Sequence, residues 1–509
     1  MKKIIFNKVI LLFSIPCFTF IAKAQNEGDS IFNATQIHEI YMTFSQPNYW
    51  DSLTYYYTID TVYFPATVVF NGSTYSDVGI KFKGNSSYSN PSDKKSFKFD
   101  INEFVSGQKI DGLKKFNLNN GFKDPTFLRE KLALDFCKDH GLAAPRCSFA
   151  KVYINGIYWG LYTLVEEIDN GTFLKQQYNN KDGNMFKGDP SGDLKWYGNL
   201  ASSYYPKYEL KTNETANDWT DLVSFINKIN NSGTYFYDSL ETILNTSDFI
   251  KHWAALNLFV NLDSYIGSGH NYFVYHDTLS GKFEWLTWDS NESFGNFQMG
   301  MTITQLKNLS MYWISNPSSN RPLVQKMLAN TTYKDELTAT FCNWIEYDFS
   351  NMALDAKIDS LANAIRTAVY DDTKKFYSNA QFEDNLTMDI NVTGSPGLNT
   401  IMGLKNFISS RRNAIVAELA TQGCVIGINE NKNITNFNFY PNPTNDFLTI
   451  NFDERNKTNS ITITNTLGEL VYKNNSNNTI ELIDVSKLNS GLYFVSVNHS
   501  HTQKLQIVK

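Results

Sequence analysis

Two of the Asn-Gly dipeptides in the first third of the chain constrain its fold more than any other feature. Asn71-Gly72 and Asn155-Gly156 each separate two segments in which apolar and polar residues alternate. Such alternation is typical of strands with one buried face, and Asn-Gly is the strongest short hairpin signal. We therefore predict two β-hairpins within a sheet that takes up most of residues 31–170.

The rest of the chain changes pattern twice. A helix is expected inside the sheet region, because Asp124-Pro125 is a helix-start signal and Gly141 a stop signal. After residue 217, apolar residues recur at helical spacing over 218–229, 249–262 and most of 322–422, with a short strand pair at 272–275 and 283–288. The Asn-rich stretch 429–438 reads as a linker, and the strand-like segments of 439–509 suit a small β-sandwich. The predicted fold class is α+β, with a β-rich N-terminal lobe, a mainly helical second lobe and a C-terminal β-sandwich.

The first 24 residues predict export. Three lysines precede an apolar run at 9–21, and Ala22-Lys23-Ala24 follows it, which is the pattern of a signal peptide cut after Ala24. The apolar run is shorter than the ~20 residues of a membrane-spanning helix, and no later segment reaches that length. We therefore expect a secreted or outer-surface protein that passes through the periplasm, without a transmembrane segment.

Charge and cysteine content narrow the range of partners. With 45 basic and 51 acidic residues the net charge is −6, which argues against binding along a nucleic-acid backbone. Four cysteines follow the predicted signal peptide, and three pairings among them are possible; they are Cys137, Cys147, Cys342 and Cys424. Their spacing does not suit a zinc knuckle, so one disulfide or none is expected.

The densest polar cluster lies between residues 263 and 292. Asp263 follows a predicted buried helix, and Asn271 and Asp289 lie at the two outer ends of the predicted strand pair, so all three can share one rim. Two carboxylates and an amide oxygen suit Mg²⁺, with Mn²⁺ as an alternative, and a free Asp can accept a hydroxyl proton. Two other interpretations stay open: Asp263 and Asn271 can cap backbone groups in loops, and His270 with His276 can bind zinc, although at a non-standard spacing.

A phosphate-binding cation is expected from the first lobe. In the predicted strand 95–100, Lys95 shares a face with Phe97 and Phe99, and a lysine on an apolar face is unusual unless it meets an anion. The alternative is a lysine whose stem packs on apolar surface while its ammonium reaches water. Arg129 and Glu130, in the first turn of the next helix, can pair with the lysine or with a nucleotide, or can simply occupy an exposed helix end.

An ordered set of short motifs across residues 35–420 resembles the CotH (spore-coat protein H) family of atypical secreted kinases. The matching pieces are Lys83-Gly84-Asn85-Ser86-Ser87, Lys94-Lys95-Ser96-Phe97, Phe127-Leu128-Arg129, Val152-Tyr153-Ile154-Asn155-Gly156, Gly160-Leu161-Tyr162 with Glu166, Asp263, His270-Asn271, Trp288-Asp289 and Phe294-Gly295. The resemblance implies a two-lobed, kinase-like domain over residues 25–428 that transfers the γ-phosphate of ATP to Ser or Thr of a secreted or surface protein.

The resemblance also implies roles for single residues. Asp263 corresponds to the catalytic aspartate, Asp289 to the magnesium aspartate, Asn271 to the accessory metal ligand and Lys95 to the phosphate lysine. The remaining nucleotide-binding positions that it implies are Lys83, Asn85, Ser86, Arg129 and Glu130, with Glu166 beside adenine. This chain departs from the commonest pattern at Lys83, where an arginine is usual, and at Asn291, where a second acidic residue is missing.

The C-terminal region resembles a different family. Tyr440-Pro441-Asn442-Pro443, Ser490-Gly491-Leu492-Tyr493 and a basic end resemble a type IX secretion C-terminal sorting domain of the Bacteroidetes. The resemblance implies the type IX secretion machinery as a partner; a β-sandwich for adhesion or sugar binding is the alternative.

For the whole chain two other functions stay open, a catalytically silent surface module for glycans or proteins and a metal-dependent phosphohydrolase. The acceptor protein, and transfer of phosphate rather than a nucleotidyl group, are not decided by the sequence.

Overall fold

The computed structural model describes residues 26–32, 36–59, 62–169, 171–392, 400–424, 437–452, 459–466, 469–497 and 501–509. The predicted signal peptide and most of the predicted linker, residues 429–436, lie outside the described residues. No helix in the described ranges combines the length and the apolar character needed to cross a membrane.

The N-terminal unit is a closed barrel of seven strands in the order β1-β2-β3-β4-β5-β7-β6. Neighbouring strands are antiparallel except for β1 and β6, which pair in parallel. The strands are β1 Ile37–Thr43, β2 Phe64–Phe70, β3 Ser73–Lys83, β4 Ser96–Asp100, β5 Lys115–Asn119, β6 Cys147–Ile154 and β7 Ile157–Glu166. Both Asn-Gly hairpin predictions are confirmed: Asn71 and Asn155 turn the chain at φ 47° and 48°.

Strand alternation divides the barrel residues between two environments. Phe97 and Phe99 of β4 point into the barrel and are fully buried there with Phe82 and Leu118 of the neighbouring strands. The residues between them, such as Lys98, point outward. The aromatic interior therefore fixes which polar side chains the barrel presents to the second unit.

The second unit combines a four-stranded antiparallel sheet with most of the helices. Its sheet has the order β11-β10-β8-β9, formed by β8 Met185–Gly188, β9 Tyr208–Leu210, β10 Tyr272–Asp277 and β11 Lys282–Thr287. The helices of both units are α1 Tyr49–Tyr57, α2 Ser86–Ser89, α3 Arg129–Asp139, α4 Gly171–Tyr178, α5 Thr220–Asn231, α6 Phe236–Glu241, α7 Thr246–Leu258, α8 Ile303–Lys307, α9 Pro322–Ala329, α10 Thr331–Tyr347, α11 Asn351–Asp371, α12 Asn379–Thr387 and α13 Leu404–Thr421. A two-stranded ribbon, β12 Ile390–Asn391 with β13 Thr400–Ile401, precedes α13.

Two predicted helix bounds are wrong, for the same reason. The helix expected from Asp124 begins at Arg129, because Phe127 has a positive φ of 59° that an α-helix cannot contain. Asp124 still serves the helix start, since its carboxylate accepts the Arg129 N–H at 2.9 Å. The helix expected to reach residue 262 ends at Leu258, shortly before Val260 at φ 47°.

A buried ion pair joins α11 to the barrel. Asp372, directly after α11, accepts a hydrogen bond from the Lys94 ammonium, and both side chains are 0% exposed. The same carboxylate accepts the Leu161 N–H of β7 at 3.0 Å. Gly160 makes room for it, since a Cβ there would lie 2.5 Å from Asp372 Oδ2. The helical unit is thus anchored to the barrel through one carboxylate.

The cysteines divide between one disulfide and two buried thiols. Cys342 of α10 forms a disulfide with Cys424, which follows α13. The sequence alone could not select this pair of cysteines. Cys137 and Cys147 are free and buried. Burial raises the pKa of Cys137 to about 12, which leaves this thiol protonated and inert.

The C-terminal region consists of two antiparallel sheets around one apolar core that includes Leu448, Ile463 and Val495. One sheet has the order β14-β15-β18 and the other β17-β16-β19-β20. The strands are β14 Phe437–Tyr440, β15 Phe447–Phe452, β16 Asn459–Asn465, β17 Leu470–Ser476, β18 Ile480–Asp484, β19 Gly491–Val497 and β20 His501–Ile507.

Stability should fall as pH rises through the range in which Glu284 of β11 ionises. Burial raises the pKa of Glu284 to about 7, so the folded state holds a proton that the unfolded state releases at lower pH. Glu284→Gln keeps an acceptor for Asn245 Nδ2, which lies 2.9 Å from the carboxylate. We expect wild type to lose about 1.4 kcal/mol of unfolding free energy per pH unit from this group between pH 5 and 7, and the variant to lose less. Urea denaturation at several pH values gives the unfolding free energy of each protein as a function of pH. An equal dependence on pH in wild type and Glu284→Gln would contradict the prediction.

Candidate functional site

A cavity of about 900 Å³ lies between the barrel and the second unit. The barrel and the loop after β3 contribute Lys81, Lys83, Asn85, Ser86, Lys98 and Asn117. The second unit contributes Asp263, His270, Asn271, Asp289 and Glu292. Six of the lining residues are lysines and seven are Asp or Glu, so the cavity is highly polar with charges of both signs.

Asp263 and Asn271 are brought into direct contact by the loop that follows α7. The Asn271 amide nitrogen donates to the Asp263 backbone oxygen at 2.8 Å and to its Oδ2 at 3.1 Å. His270 Nε2 lies 2.6 Å from Asp263 Oδ1. Burial acts to lower the pKa of His270, but the hydrogen bond and the charge of Asp263, together with smaller contributions from Pro190 and Asp189, raise this pKa overall. The Asp263 carboxylate is therefore held in place at both oxygens.

Asp289 lies two residues beyond β11, and its carboxylate is not held by hydrogen bonds as that of Asp263 is. Within the described part of the chain its carboxylate accepts no hydrogen bond and has no cation at ion-pair distance. Burial raises its pKa, Lys83 lowers it, and the nearby Asp263 raises it further. Asn271 and Asp289 both adopt positive φ values, of 58° and 51°. Backbone strain of this kind is concentrated at functional sites, where the surrounding fold maintains it.

Lys83 brings an unpaired positive charge to the same cavity. Its ammonium donates to Asn119 Oδ1 at 3.0 Å and lies 5.5 Å from the centre of the Trp288 ring. Among the described residues no carboxylate lies within ion-pair distance of it. Burial lowers the pKa of Lys83, and Asp289 acts in the opposite direction. The site thus contains a lysine and an aspartate that influence each other without contact.

The loop after Lys83 is held by Tyr57, which also lines the cavity. Asn85 and Ser86 line the cavity, as the resemblance implied for a nucleotide site. Tyr57 of α1 donates to the Gly84 carbonyl at 2.8 Å and stacks on Tyr88 with ring centres 3.4 Å apart. The loop therefore has a fixed position on the barrel.

Lys95 is not part of this cavity. Its ammonium donates to the backbone oxygens of Tyr88, at 2.6 Å, and Asn90, so it holds the end of the same loop instead. The reason for this position is that β4 begins only at Ser96, so Lys95 lies in the turn before it. Strand alternation therefore does not extend to Lys95, whereas Lys98 of the same strand does line the cavity.

Glu166 is also turned away from the cavity. Its carboxylate accepts from Arg146 Nε at 2.9 Å, and the pair is largely buried. The next residue, Glu167, lines the cavity and lies 2.7 Å from the Lys98 ammonium. A shift of one residue along a strand reverses the face, so the resemblance selected the neighbour of the residue that lines the cavity.

Arg129 and Glu130 differ in position although they are adjacent. Arg129 is fully buried, does not line the cavity, and donates to Asn385 Oδ1 at 2.7 Å and to the Met402 backbone oxygen. Glu130 is 4% exposed and borders a small polar pocket that Lys83 and Asp289 also line. Burial raises the pKa of Glu130 to about 7, with Asp289 adding to the increase.

Sequence reasoning missed several lining residues. Lys187 of β8 pairs with Asp189, and Lys123 of the β5–α3 loop lies 2.8 Å from Glu292. The last pair joins the barrel to the segment after Asp289. Burial raises the pKa of Glu292 to about 7 even beside Lys123. These residues do not belong to a recognisable motif. The only sequence signal that could have indicated them is their alternation with apolar neighbours along short segments.

The metal-ligand chemistry of the site is limited. Within the described ranges, His, Cys, Asp and Glu side chains do not form a group of three or more that could hold a metal ion. His270 contacts Asp263 while His276 contacts Asp221, so the two histidines serve different partners and the zinc interpretation has no support. What the cavity offers a hard cation is the free Asp289 carboxylate, Asp263 and the amide oxygen of Asn271.

The chain matches two protein-family models and two characterised relatives. The model described as CotH kinase protein matches residues 80–415, and the model described as secretion system C-terminal sorting domain matches residues 438–509. The inner spore coat protein H of Bacillus subtilis is 30% identical over 224 residues, 43% of this chain and 59% of that protein. The invasin CotH2 of Rhizopus delemar is 21% identical over 324 residues, 60% of this chain and 54% of that protein. Each match spans less than two-thirds of the relative's own length.

The two family matches account for different parts of the chain. The sorting-domain match implies the type IX secretion machinery and export to the surface or the medium. The other match covers the barrel from β3 onward and the helical unit, including both sides of the cavity. The chain belongs to the CotH kinase protein family.

Proposed function

We propose that this protein is an exported kinase that uses ATP and Mg²⁺, or Mn²⁺, to phosphorylate Ser or Thr of a secreted or surface protein. The barrel and the helical unit would be the two lobes of an atypical kinase fold over residues 25–428, with the nucleotide between them. The observation that carries the proposal is the pair of unsatisfied charges in one cavity, the Asp289 carboxylate and the Lys83 ammonium.

These two charges have complementary requirements. A partly buried carboxylate that accepts no hydrogen bond is costly unless a cation binds it, and a lysine without a counter-charge favours an anion. A magnesium nucleotide supplies both at once, because its metal carries positive charge and its phosphates carry negative charge. Asp289, with the Asn271 amide oxygen, would hold the metal, which would neutralise and orient the phosphates. Lys83 then replaces Lys95 as the proposed phosphate lysine.

The remaining polar groups suggest how an acceptor is activated. Asp263 lies beside Asn271, and the hydrogen bonds from His270 and Asn271 fix its carboxylate at the rim of the cavity. A fixed carboxylate at that place can accept the proton of a Ser or Thr hydroxyl as the oxygen attacks phosphorus. Asn85 and Ser86 would contact the phosphates, and Glu167, rather than Glu166, would border the nucleoside end.

Nucleotide binding tests the proposal, with Lys83→Met and Lys95→Met as a matched pair. With the chain from residue 25, calorimetric titration of ATP at saturating MgCl₂ should give binding that EDTA removes. Because Lys83 lines the cavity and Lys95 does not, Lys83→Met should weaken binding by at least about tenfold, and Lys95→Met should change it by less than about threefold. Equal effects would contradict the assignment of Lys83.

Labelled ATP then separates the alternatives. Label from the γ-phosphate on protein or on Ser- and Thr-containing peptides, lost in Asp289→Asn, supports the kinase. Free phosphate alone indicates a phosphohydrolase, and label from the α-phosphate on protein indicates nucleotidyl transfer. Absence of nucleotide binding at millimolar concentration leaves a catalytically silent surface module.

A further inference from the structure

Lys83 and two residues behind it, Asn119 and Glu130, form a line of hydrogen bonds that leads out of the cavity. The Lys83 ammonium, at the end of β3, donates to Asn119 Oδ1 at 3.0 Å. The amide nitrogen of the same Asn119, at the end of β5, donates to Glu130 Oε2 at 2.8 Å. Glu130 lies in the first turn of α3, so three separate elements meet at this amide.

The two ends of the Asn119 amide are not interchangeable. Above its raised pKa of about 7, Glu130 is ionised and its carboxylate only accepts hydrogen bonds, whereas an ammonium only donates them. The amide therefore has one favourable orientation, with its nitrogen toward Glu130 and its oxygen toward Lys83. In the reverse orientation the amide nitrogen would face the ammonium and the amide oxygen would face the carboxylate. Glu130 thus determines which end of Asn119 meets Lys83.

The arrangement differs from the direct ion pair that another lysine of the same cavity makes. Lys98 lies 2.7 Å from Glu167, which takes up its charge. Lys83 instead contacts the neutral amide oxygen of Asn119. The carboxylate of Glu130 contacts the other end of that amide and not the ammonium itself. The amide orients the ammonium without neutralising it, so the charge stays available to an anion in the cavity.

Glu130 is well placed to be a fixed support. It is 4% exposed, and α3 is anchored by the buried side chains of Leu132 and Phe136. The first turn of a helix is also a favourable place for a carboxylate, because the helix dipole is positive there. An exposed glutamate on a loop would not hold the amide in one orientation.

Resting on the proposed function, we propose that Asn119 and Glu130 are positioning residues for Lys83: Asn119 presents an amide oxygen that holds the ammonium toward the phosphates, and Glu130 fixes the orientation of that amide. Neither residue touches the nucleotide in this assignment. Their effect reaches it through the position and the free charge of Lys83.

Two substitutions test the assignment because they act on Lys83 in opposite ways. Glu130→Gln removes the reason for one amide orientation and should release the ammonium. Asn119→Asp places a carboxylate against Lys83 and should convert the contact into an ion pair. Glu39→Gln, on the exposed face of β1, is the matched control for loss of one carboxylate.

The first measurement needs no activity. Without nucleotide at pH 8, where carboxyl groups are ionised, an amine-acylating reagent labels lysines and mass spectrometry gives the rate at Lys83. We expect labelling about three- to tenfold faster in Glu130→Gln, slower than wild type in Asn119→Asp, and unchanged in Glu39→Gln. Wild-type rates in both site variants would overturn the proposal, and general damage would accelerate labelling in both.

The second measurement links the positioning to catalysis. Both site variants should raise KM for ATP about tenfold with kcat changed less than about threefold, because Lys83 holds the ground-state phosphates. If wild type binds no nucleotide, the proposed function fails, while the labelling pattern still decides whether Asn119 and Glu130 position Lys83. If Glu130→Gln does not give a folded circular dichroism spectrum, the slower labelling of Asn119→Asp decides alone.

Discussion

Asp263→Asn is expected to lower kcat for phosphoryl transfer about 10²- to 10⁴-fold, the range that a positioned general base contributes. Asparagine has the same shape and keeps an oxygen for the hydrogen bond with His270, whose Nε2 lies 2.6 Å from Asp263 Oδ1. It cannot accept the proton of an attacking hydroxyl. Since Asp263 is proposed to act on the acceptor rather than on the nucleotide, KM for ATP should change by less than about threefold.

The control for this substitution is Asp335→Asn, at an exposed position of α10. Rates come from single-turnover transfer of labelled γ-phosphate, and nucleotide affinity comes from calorimetry. A rate within about threefold of wild type would show that Asp263 is not the proton acceptor. Loss of nucleotide binding in the same variant would assign it to the metal site instead.

Asp372→Ala is expected to reduce the free energy of unfolding by about 3–5 kcal/mol, the cost of leaving one partner of a buried ion pair without its counter-charge. Both Lys94 and Asp372 are 0% exposed, and the Lys94 ammonium also lies 4.7 Å from the centre of the Phe127 ring. The Leu161 N–H loses its acceptor in the same variant. The charge and the hydrogen bond are removed together, which makes this a large effect for one substitution.

Asp371→Ala is the matched control, because Asp371 is the exposed neighbour one residue earlier and should change stability by less than about 0.5 kcal/mol. Urea denaturation gives the unfolding free energies. The double variant Lys94→Met with Asp372→Ala should recover part of the loss, since the uncompensated charge is gone. A single-variant loss below about 1 kcal/mol would show that this ion pair does not anchor α11 to the barrel.

The candidate site divides into residues that a local pattern can predict and residues that it cannot. Asp263, Asn271 and Asp289 follow or flank regular elements, so their meeting at one rim could be expected from the order of helix, loop and hairpin; the structure places all three on one cavity. Their chemical roles stay proposals. Lys95 was selected by a strand face and Glu166 by a motif, and neither lines the cavity, whereas Lys83, Lys98 and Glu167 do.

Supporting contacts could not be predicted at all from the sequence. Asn119 lies next to Lys83 and Glu130 only because β5, β3 and α3 meet at one end of the barrel. The ion pair between Lys94 and Asp372 joins residues that are 278 positions apart. The sequence around Lys94 looks like that of an ordinary exposed lysine, and the sequence around Asp372 looks like that of an ordinary aspartate at a helix end.

By itself the sequence determined many of the strands, two of the Asn-Gly turns and most of the helices, together with a β-rich C-terminal region; β8 and β9 were not predicted. These features depend on side-chain periodicity and turn conformation, which act over a few residues. Only the tertiary structure decided which lysine carries an unpaired charge in the cavity and which glutamate supports it. Such charges depend on burial and on partners distant in the chain, because an ionised group loses water on folding and takes whatever counter-charge the packed elements bring to it.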